Sequence, residues 1–424
     1  MPGDNLTVLV VGNGARENAI AAALLRSSRV GSVHLAPGTG ATVERAVRVS
    51  IDPRNVDALI EHVRYFGIDW TVVGSEGPLI SGLVDRFEAE GLKVFGPQAS
   101  GARLEASKAF SKAFMARQGI PTGSFEVANT FAEARAAIEK LWKPEGVVIK
   151  AHGITPGQGV VVASYAAEAE QAAWAWIEEG VHGFAGRKVV VEERLEGSVA
   201  SVSVVTDGQS WHALPVTRTF HRMQDSDRGA FTPGMGTIAP FPLAPDEDLQ
   251  LRTEIIDRTI AGLRAEGIPY RGFLTFDVMR TPQGLRLLEF DTHLGDPEAQ
   301  ATLGIVDADW GDVIEACFEE RLHEVPWTVR SAHRIAISVV DPTYPRAMSR
   351  GSSVTGLPEP RTGLECYAAG LEPIDNGNFV SSGPCLLTIV GEGEHLGSAR
   401  HLAYEAVENI LLGDRRPHYR LDIG

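Results

Sequence analysis

Glu289 and Asp291 stand two residues apart in Leu287-Leu-Glu-Phe-Asp-Thr-His-Leu-Gly-Asp-Pro-Glu298, where the apolar lead-in reads as a strand. Side chains at i and i+2 of a strand share a face. Two carboxylates held that close repel each other, and a hard cation such as Mg²⁺ (or Mn²⁺) relieves the repulsion, which points to phosphate chemistry. An isolated acidic pair is more often a solvated strand face, so the weight of this one depends on its company. Arg271 to Met279 reads as a second strand, joined to the first through Thr281-Pro-Gln-Gly284. A hairpin would set Asp277 beside Glu289 and Asp291 as a third oxygen ligand.

Two lysines precede the acids. Lys108 follows Ser107 at the start of an amphipathic helix, and Lys150 ends the apolar strand Val147-Val-Ile149. A glycine-rich turn follows, His152-Gly153-Ile-Thr-Pro-Gly157-Gln158-Gly159-Val160, able to fold its amides over phosphates. It lacks the GK[ST] ending and following helix of a P-loop. Val189 to Leu195 is a buried-type strand that breaks into Glu192 and Glu193. An adenine could bond along that edge with a carboxylate near the ribose.

At the N-terminal end, the apolar run Leu6 to Val11 leads into Gly12-Asn-Gly14-Ala-Arg-Glu17 and a helical pattern, a strand-turn-helix whose amides could hold an anion. Glu17 occupies the sixth position of what would be a GxGxxG fingerprint, which argues against a nicotinamide cofactor. Later strands end at Ala36-Pro37-Gly38, Gly74-Ser-Glu76-Gly-Pro78 and Gly96-Pro97. Turn chemistry accounts for the glycines and prolines but leaves Glu17 and Glu76 as unexplained acids on one rim.

The elements needed to position these residues divide the chain into an open parallel-sheet α/β domain over residues 1 to about 100, a body from about 101 to 325 with a lid near 121–190, and an α+β domain over 326–424. The 424 residues are 44% hydrophobic and 22% charged, the composition of an ordinary globular protein. A net charge of −16 argues against nucleic acid or anionic lipid as partner. Three widely spaced cysteines offer neither a disulfide framework nor a CxxC site, which suits a reducing cytoplasm. No apolar run suggests a membrane span or a signal peptide.

Two lysines, a glycine-rich flap, an adenine-edge strand and a carboxylate hairpin, in this order, resemble the ATP-grasp fold. Within it the chain resembles the phosphoribosylamine–glycine ligase family, from VLVVGNGARENAI through FGPQASGARLEASKAF, VVIKAHGITPGQGVVVA and VVVEERLEG to LLEFDTHLGDPEAQ and YRLDIG. The resemblance implies an ATP-dependent ligase in which a carboxylate becomes an acyl phosphate and an amine then forms the amide. It places Lys108 and Lys150 on ATP phosphates, Gly153, Gly157 and Gly159 in the flap, Glu192, Glu193 and Leu195 at the adenine edge, and Mg²⁺ on Glu289 and Asp291. Gly14, Glu17, Pro37, Glu76, Asp296 and Glu298 would form the site for an amine-bearing ribosyl phosphate.

The departures from the family pattern are specific. The family's Glu-Phe-Asn-x-Arg-Phe-Gly-Asp-Pro-Glu has Asp291 for Asn, His293 for Arg and Leu294 for Phe. Asp keeps a metal oxygen, whereas His replaces a fixed bidentate cation with a switchable one. Arg222 keeps the family's Arg within Thr219-Phe-His-Arg222, which makes Arg222 and His293 the candidates to face the reacting groups. The changes gather where the small carboxylate would sit, so the expectation is a ligase specialised for another carboxylate or amine in secondary metabolism. The alternatives are a phosphoribosylamine–glycine ligase of purine synthesis, a degenerate nucleotide-binding protein, and a carboxylating enzyme. A monomer or a homodimer would serve equally.

Overall fold

Leu6–Gly12 is apolar on both faces because both are covered: Val8 and Val10 enter one core, Leu9 and Val11 another. In this computed structural model, which describes residues 5–424 except 42, 44, 156–158, 346 and 375–377, the strand is the centre of a five-stranded parallel sheet. The order is Ala46–Arg48, Val30–Pro37, Leu6–Gly12, Trp70–Val73, Val94–Phe95. Its carboxyl ends bring Gly12, Pro37 and Gly74 to one rim. After Trp70–Val73 the chain forms two helices, Glu76–Ile80 and Leu83–Ala89, and not one, because Gly82 between them takes a left-handed φ of 82°.

The body begins with helices Ala99–Ala106 and Lys108–Arg117. Extended Ser107 separates them and caps the second, its hydroxyl accepting from Phe110 N at 3.1 Å. Helix Lys108–Arg117 packs near an antiparallel sheet ordered Trp211–Ala213, Ser198–Thr206, Gly272–Thr281, Gly284–Asp291. Phe276 pairs directly with Phe290, both fully buried with ring centroids 5.5 Å apart. Burying each is worth about 1.5–3 kcal/mol. That pairing pins a register in which Asp277 faces Glu289 and Thr275 faces Asp291 on the opposite side of the sheet.

The segment where a lid is expected has its own antiparallel sheet, Phe125–Ala128, Val189–Glu193, Val147–Ala151, Val160–Ala163, backed by helices Phe131–Leu141 and Ala166–Ile177 over a separate core. The C-terminal sheet runs Arg218–Thr219, Gly236–Ala239, His333–Val340, Cys385–Gly393, Leu364–Ala368, so two of its strands come from the middle of the chain. Helix Leu396–Val407 covers it. Among the described residues no helix is long and apolar enough to cross a membrane.

Candidate active site

The hairpin carries the acids. A bulge beside Asp277 leaves Leu288 as the extra residue on its strand, and Leu288 O accepts from Lys150 Nζ at 3.4 Å. Lys108 Nζ lies 2.7 Å from Glu289 Oε2, and Lys150 Nζ lies 3.8 Å from the same oxygen. Glu289 therefore joins a body helix to a lid strand. The Lys108 charge holds the Glu289 carboxyl far below its usual range against the effect of burial, and Lys150 adds to it.

Asp277 and Asp291 behave oppositely. Asp277 is pushed up to about 7 by burial, then by Asp291 and Glu289. Asp291 reaches about 7 through burial and Glu105. Asp277 accepts from Ser201 Oγ at 2.5 Å, but the Asp291 carboxylate makes no hydrogen bond or ion pair among the described residues. Glu289 and Asp291 share a strand face and both offer oxygen, which fits a hard divalent cation such as Mg²⁺, whereas among the described residues Asp277 does not join them in a group whose ligand atoms are close enough to share one ion.

Lys112, one helical turn beyond Lys108, was not singled out by the sequence reading. It is almost wholly buried, with Nζ 2.8 Å from Glu192 Oε2 and donating to Thr122 Oγ1 at 2.8 Å. Lys150 approaches the other Glu192 oxygen at 3.4 Å. Burial alone would raise the Glu192 carboxyl, yet Lys150 and Lys112 bring it down. Glu192 thus ties the two lysines together. Glu193 accepts from Ser124 N at 2.9 Å and pairs with Lys143, and Leu195 is half-buried just beyond the strand. In the flap, Gly153 N donates to Ala185 O at 3.2 Å and Gly159 O accepts from Ala151 N at 2.8 Å; Gly157 lies outside the described residues.

At the rim, Glu17 accepts from Gly14 N at 2.6 Å and from Arg16 Nε at 2.7 Å and is almost fully buried. A Cβ on Gly12 or Gly74 would come within 2.6 Å of its atoms, so both positions need glycine. Held in this way, Glu17 aims Arg16 at the site. Arg16 Nη1 lies 2.8 Å from His293 Nδ1, and Nη2 lies 4.0 Å from Glu76 Oε2. His293 Nε2 stands 3.6 Å from Glu76 and 3.5 Å from Glu105. Burial and Arg16 oppose protonation of the ring, but Glu105 and Asp291 raise it to about 9. Arg16 and Glu105 are thus further members that the sequence reading passed over, although both lie inside motifs it quoted.

Pro37 ends its strand opposite Gly12. Asp296 lies against Gly14, accepts from Gln300 Nε2 at 2.6 Å and is raised by burial. Glu298 opens helix Glu298–Thr302 and accepts from Thr219 Oγ1 at 2.5 Å, while its buried Oε2 has no hydrogen-bond partner. Arg222 sits on a two-stranded ribbon with Arg228–Phe231, donating to Gly229 O at 3.1 Å and lying over the Phe231 ring. Its neighbour His221 makes the smallest contribution at Asp277, opposing the upward push of burial, Asp291 and Glu289.

Parallel-sheet rim, lysines and acid hairpin thus converge from three parts of the chain. Two family models match in succession: the N domain of phosphoribosylglycinamide synthetase over residues 6–105 and its ATP-grasp (A) domain over residues 106–299. A phosphoribosylamine–glycine ligase of Ralstonia nicotianae is 38% identical over 99% of both chains. The chain belongs to this family. It is an ATP-grasp ligase that forms a C–N bond, and the family works with ATP and Mg²⁺. The crystal structure of the phosphoribosylamine–glycine ligase from Thermotoga maritima superposes with a TM-score of 0.85 at 30% identity, covering 99% of this chain and 100% of that one. A biotin carboxylase from Campylobacter jejuni, at 15% identity and a TM-score of 0.70, covers 96% of this chain and 92% of its own, and shows the fold alone.

Proposed function

We propose that the protein is a phosphoribosylamine–glycine ligase of purine biosynthesis, in preference to a ligase specialised for secondary metabolism. The likeness that carries this reading is full-length: relatives bearing that name match at 38% and 37% identity over 99% of both chains. The substitutions at Asp291 and His293 leave the surrounding architecture in place, with a metal-capable carboxylate and a cation standing at those positions.

In the reaction a glycine carboxylate oxygen bonds to the terminal phosphorus of ATP and ADP leaves; the amine of phosphoribosylamine then bonds to the acyl carbon, loses a proton, and phosphate departs. Lys108 and Lys150 neutralise and orient the transferring phosphoryl group, and Lys112 with Glu192 fixes where they stand. Glu289 and Asp291 would hold Mg²⁺, which neutralises phosphate charge when bound. Arg16 and His293 offer positive charge to a carboxylate or its acyl phosphate between the hairpin and the rim. Gly14, Glu76 and Asp296 face the amine-bearing substrate from the parallel sheet. The lid brings the flap over this space and keeps water from the acyl phosphate.

The test is ADP release by the purified chain with ATP, Mg²⁺, glycine and phosphoribosylamine. Dependence on both substrates supports the reading. Turnover with a different carboxylate or amine but not with these would restore the specialised alternative, bicarbonate dependence would indicate carboxylation, and nucleotide binding without turnover would mark a degenerate protein.

A further inference from the structure

A cavity of about 470 Å³, within the size range of small-molecule sites, lies where the parallel-sheet domain meets the body, and no lysine or acid of the active site lines it. Helix Asp257–Ala265 supplies an apolar wall through buried Ile260 and Leu263, continued by Ile268 and Pro269 in the loop that follows. The parallel-sheet domain adds Glu88 and Gln98. Much of the surrounding charge is already paired. Glu88 holds Arg271 Nη2 at 2.8 Å and accepts from Gln98 Nε2 at 2.6 Å. Asp207 accepts from Gln209 N at 2.8 Å, Ser210 N at 2.7 Å and Leu322 N at 3.0 Å, which fixes the turn that brings Gln209 to the cavity. Other groups are left over. The side chains of Arg264 and Glu320 make no hydrogen bond or ion pair among the described residues, and Arg271 Nε is buried without a hydrogen-bond partner. Glu320 stands just past helix Trp310–Phe318 at a left-handed φ of 55°, a conformation that favours glycine and strains a glutamate.

We propose that this cavity binds a small zwitterion with an apolar body, of the amino-acid or dipeptide class, its carboxylate on the guanidinium groups of Arg264 and Arg271, its ammonium on Glu320, and its side chain against Ile260, Leu263 and Ile268. The leftover charges select this class. A neutral molecule leaves both unmatched, a simple anion faces Glu320, and a simple cation faces Arg264. An occupant would touch the parallel-sheet domain, which carries Gly14 and Glu76, and the body, which carries Glu289, at the same time. Binding would therefore bias how the two halves of the active site face each other.

Calorimetry with L-phenylalanine and with glycyl-L-phenylalanine tests it in the full-length protein, with glycine, Mg²⁺ and a non-hydrolysable ATP analogue in excess to fill the reaction site. The expected result is saturable binding of one equivalent, and whichever probe binds more tightly tells a free amino acid from a dipeptide by the spacing of its charges. Phenylacetate, which lacks the ammonium, and phenethylamine, which lacks the carboxylate, should bind at least about tenfold more weakly than that probe. Arg264→Gln should weaken the probe by a similar factor. Glu320→Gly, which relieves the left-handed strain and so keeps the fold, should bring it down to the level of phenylacetate while leaving phenylacetate unchanged. No saturable binding of either zwitterion, equal binding of phenylacetate or phenethylamine, or unchanged binding in either folded variant would overturn the proposal. Arg264 and Glu320 lie outside the active site, so this result is independent of the ADP-release assay.

Discussion

Lys112 and Glu192 are both at least nine-tenths buried and neutralise one another at 2.8 Å, so removing either strands a charge away from water. Lys112→Met should therefore destabilise the protein by about 3 kcal/mol, the cost of leaving a buried partner uncompensated. It should also raise the KM for ATP, because Lys150 becomes the sole counter-charge of Glu192. Denaturant melts and initial rates check both, and unchanged stability would contradict the pairing. Asp277 and Asp291 yield a prediction of opposite sign. Their native carboxyls titrate near 7, above the ordinary 3.8, so the native state holds protons that the unfolded chain has released. Metal-free stability should then fall as pH rises from about 4 to about 7, and Mg²⁺ should raise the melting temperature more at pH 8 than at pH 6. The acid pair and two of the lysines were legible in the sequence as residue types at telling spacings. Lys112, Arg16 and Glu105 were not, because their importance lies in what they touch across the fold.

The element scale was more readable where one local pattern dominates. The hairpin over residues 272–291 appears as expected, since apolar alternation and a Pro-Gln-Gly turn agree on one register. The apolar pattern around Ile410 to Leu412 could extend the last helix, yet that helix runs Leu396–Val407, because Leu411–Leu412 pairs with Ser353–Thr355 and strand pairing across the molecule outweighs local helix propensity. Packing between elements also creates a pH response. On strand Val30–Pro37 and helix Val56–Phe66, His34 Nδ1 and His62 Nε2 lie 2.8 Å apart. Burial, then the charge of His62, lowers His34, and burial lowers His62. Below their ordinary value near 6.5 the unfolded chain takes up protons that the native pair resists, so this contribution to stability is present above that pH and lost below it. His62→Gln should make denaturation free energies less sensitive between about pH 7.5 and about pH 5.5. An unaltered pH profile would show that the pair carries no linkage.

At the scale of the whole molecule, the C-terminal sheet recruits Arg218–Thr219 and Gly236–Ala239 from the middle of the chain, a pairing that no local sequence pattern announces. The lid, by contrast, keeps a separate core made largely of alanine and valine. Its edge strand Val160–Ala163 leaves Val160 and Val162 39% and 44% exposed, whereas Phe276 and Phe290 at the hairpin are fully buried. Smaller side chains bury less apolar surface per residue, so the lid should open at lower free energy than the body. Hydrogen exchange should be fastest in Val160–Ala163 and slowest around residues 273–279. If Lys150 binds phosphate and the flap closes on it, Mg²⁺ with a non-hydrolysable ATP analogue should slow exchange in Val147–Ala151 and Val160–Ala163 while leaving Cys385–Gly393 nearly unchanged. Equal slowing of all three strands would mean that nucleotide tightens the molecule globally, and the lid would lose its separate role.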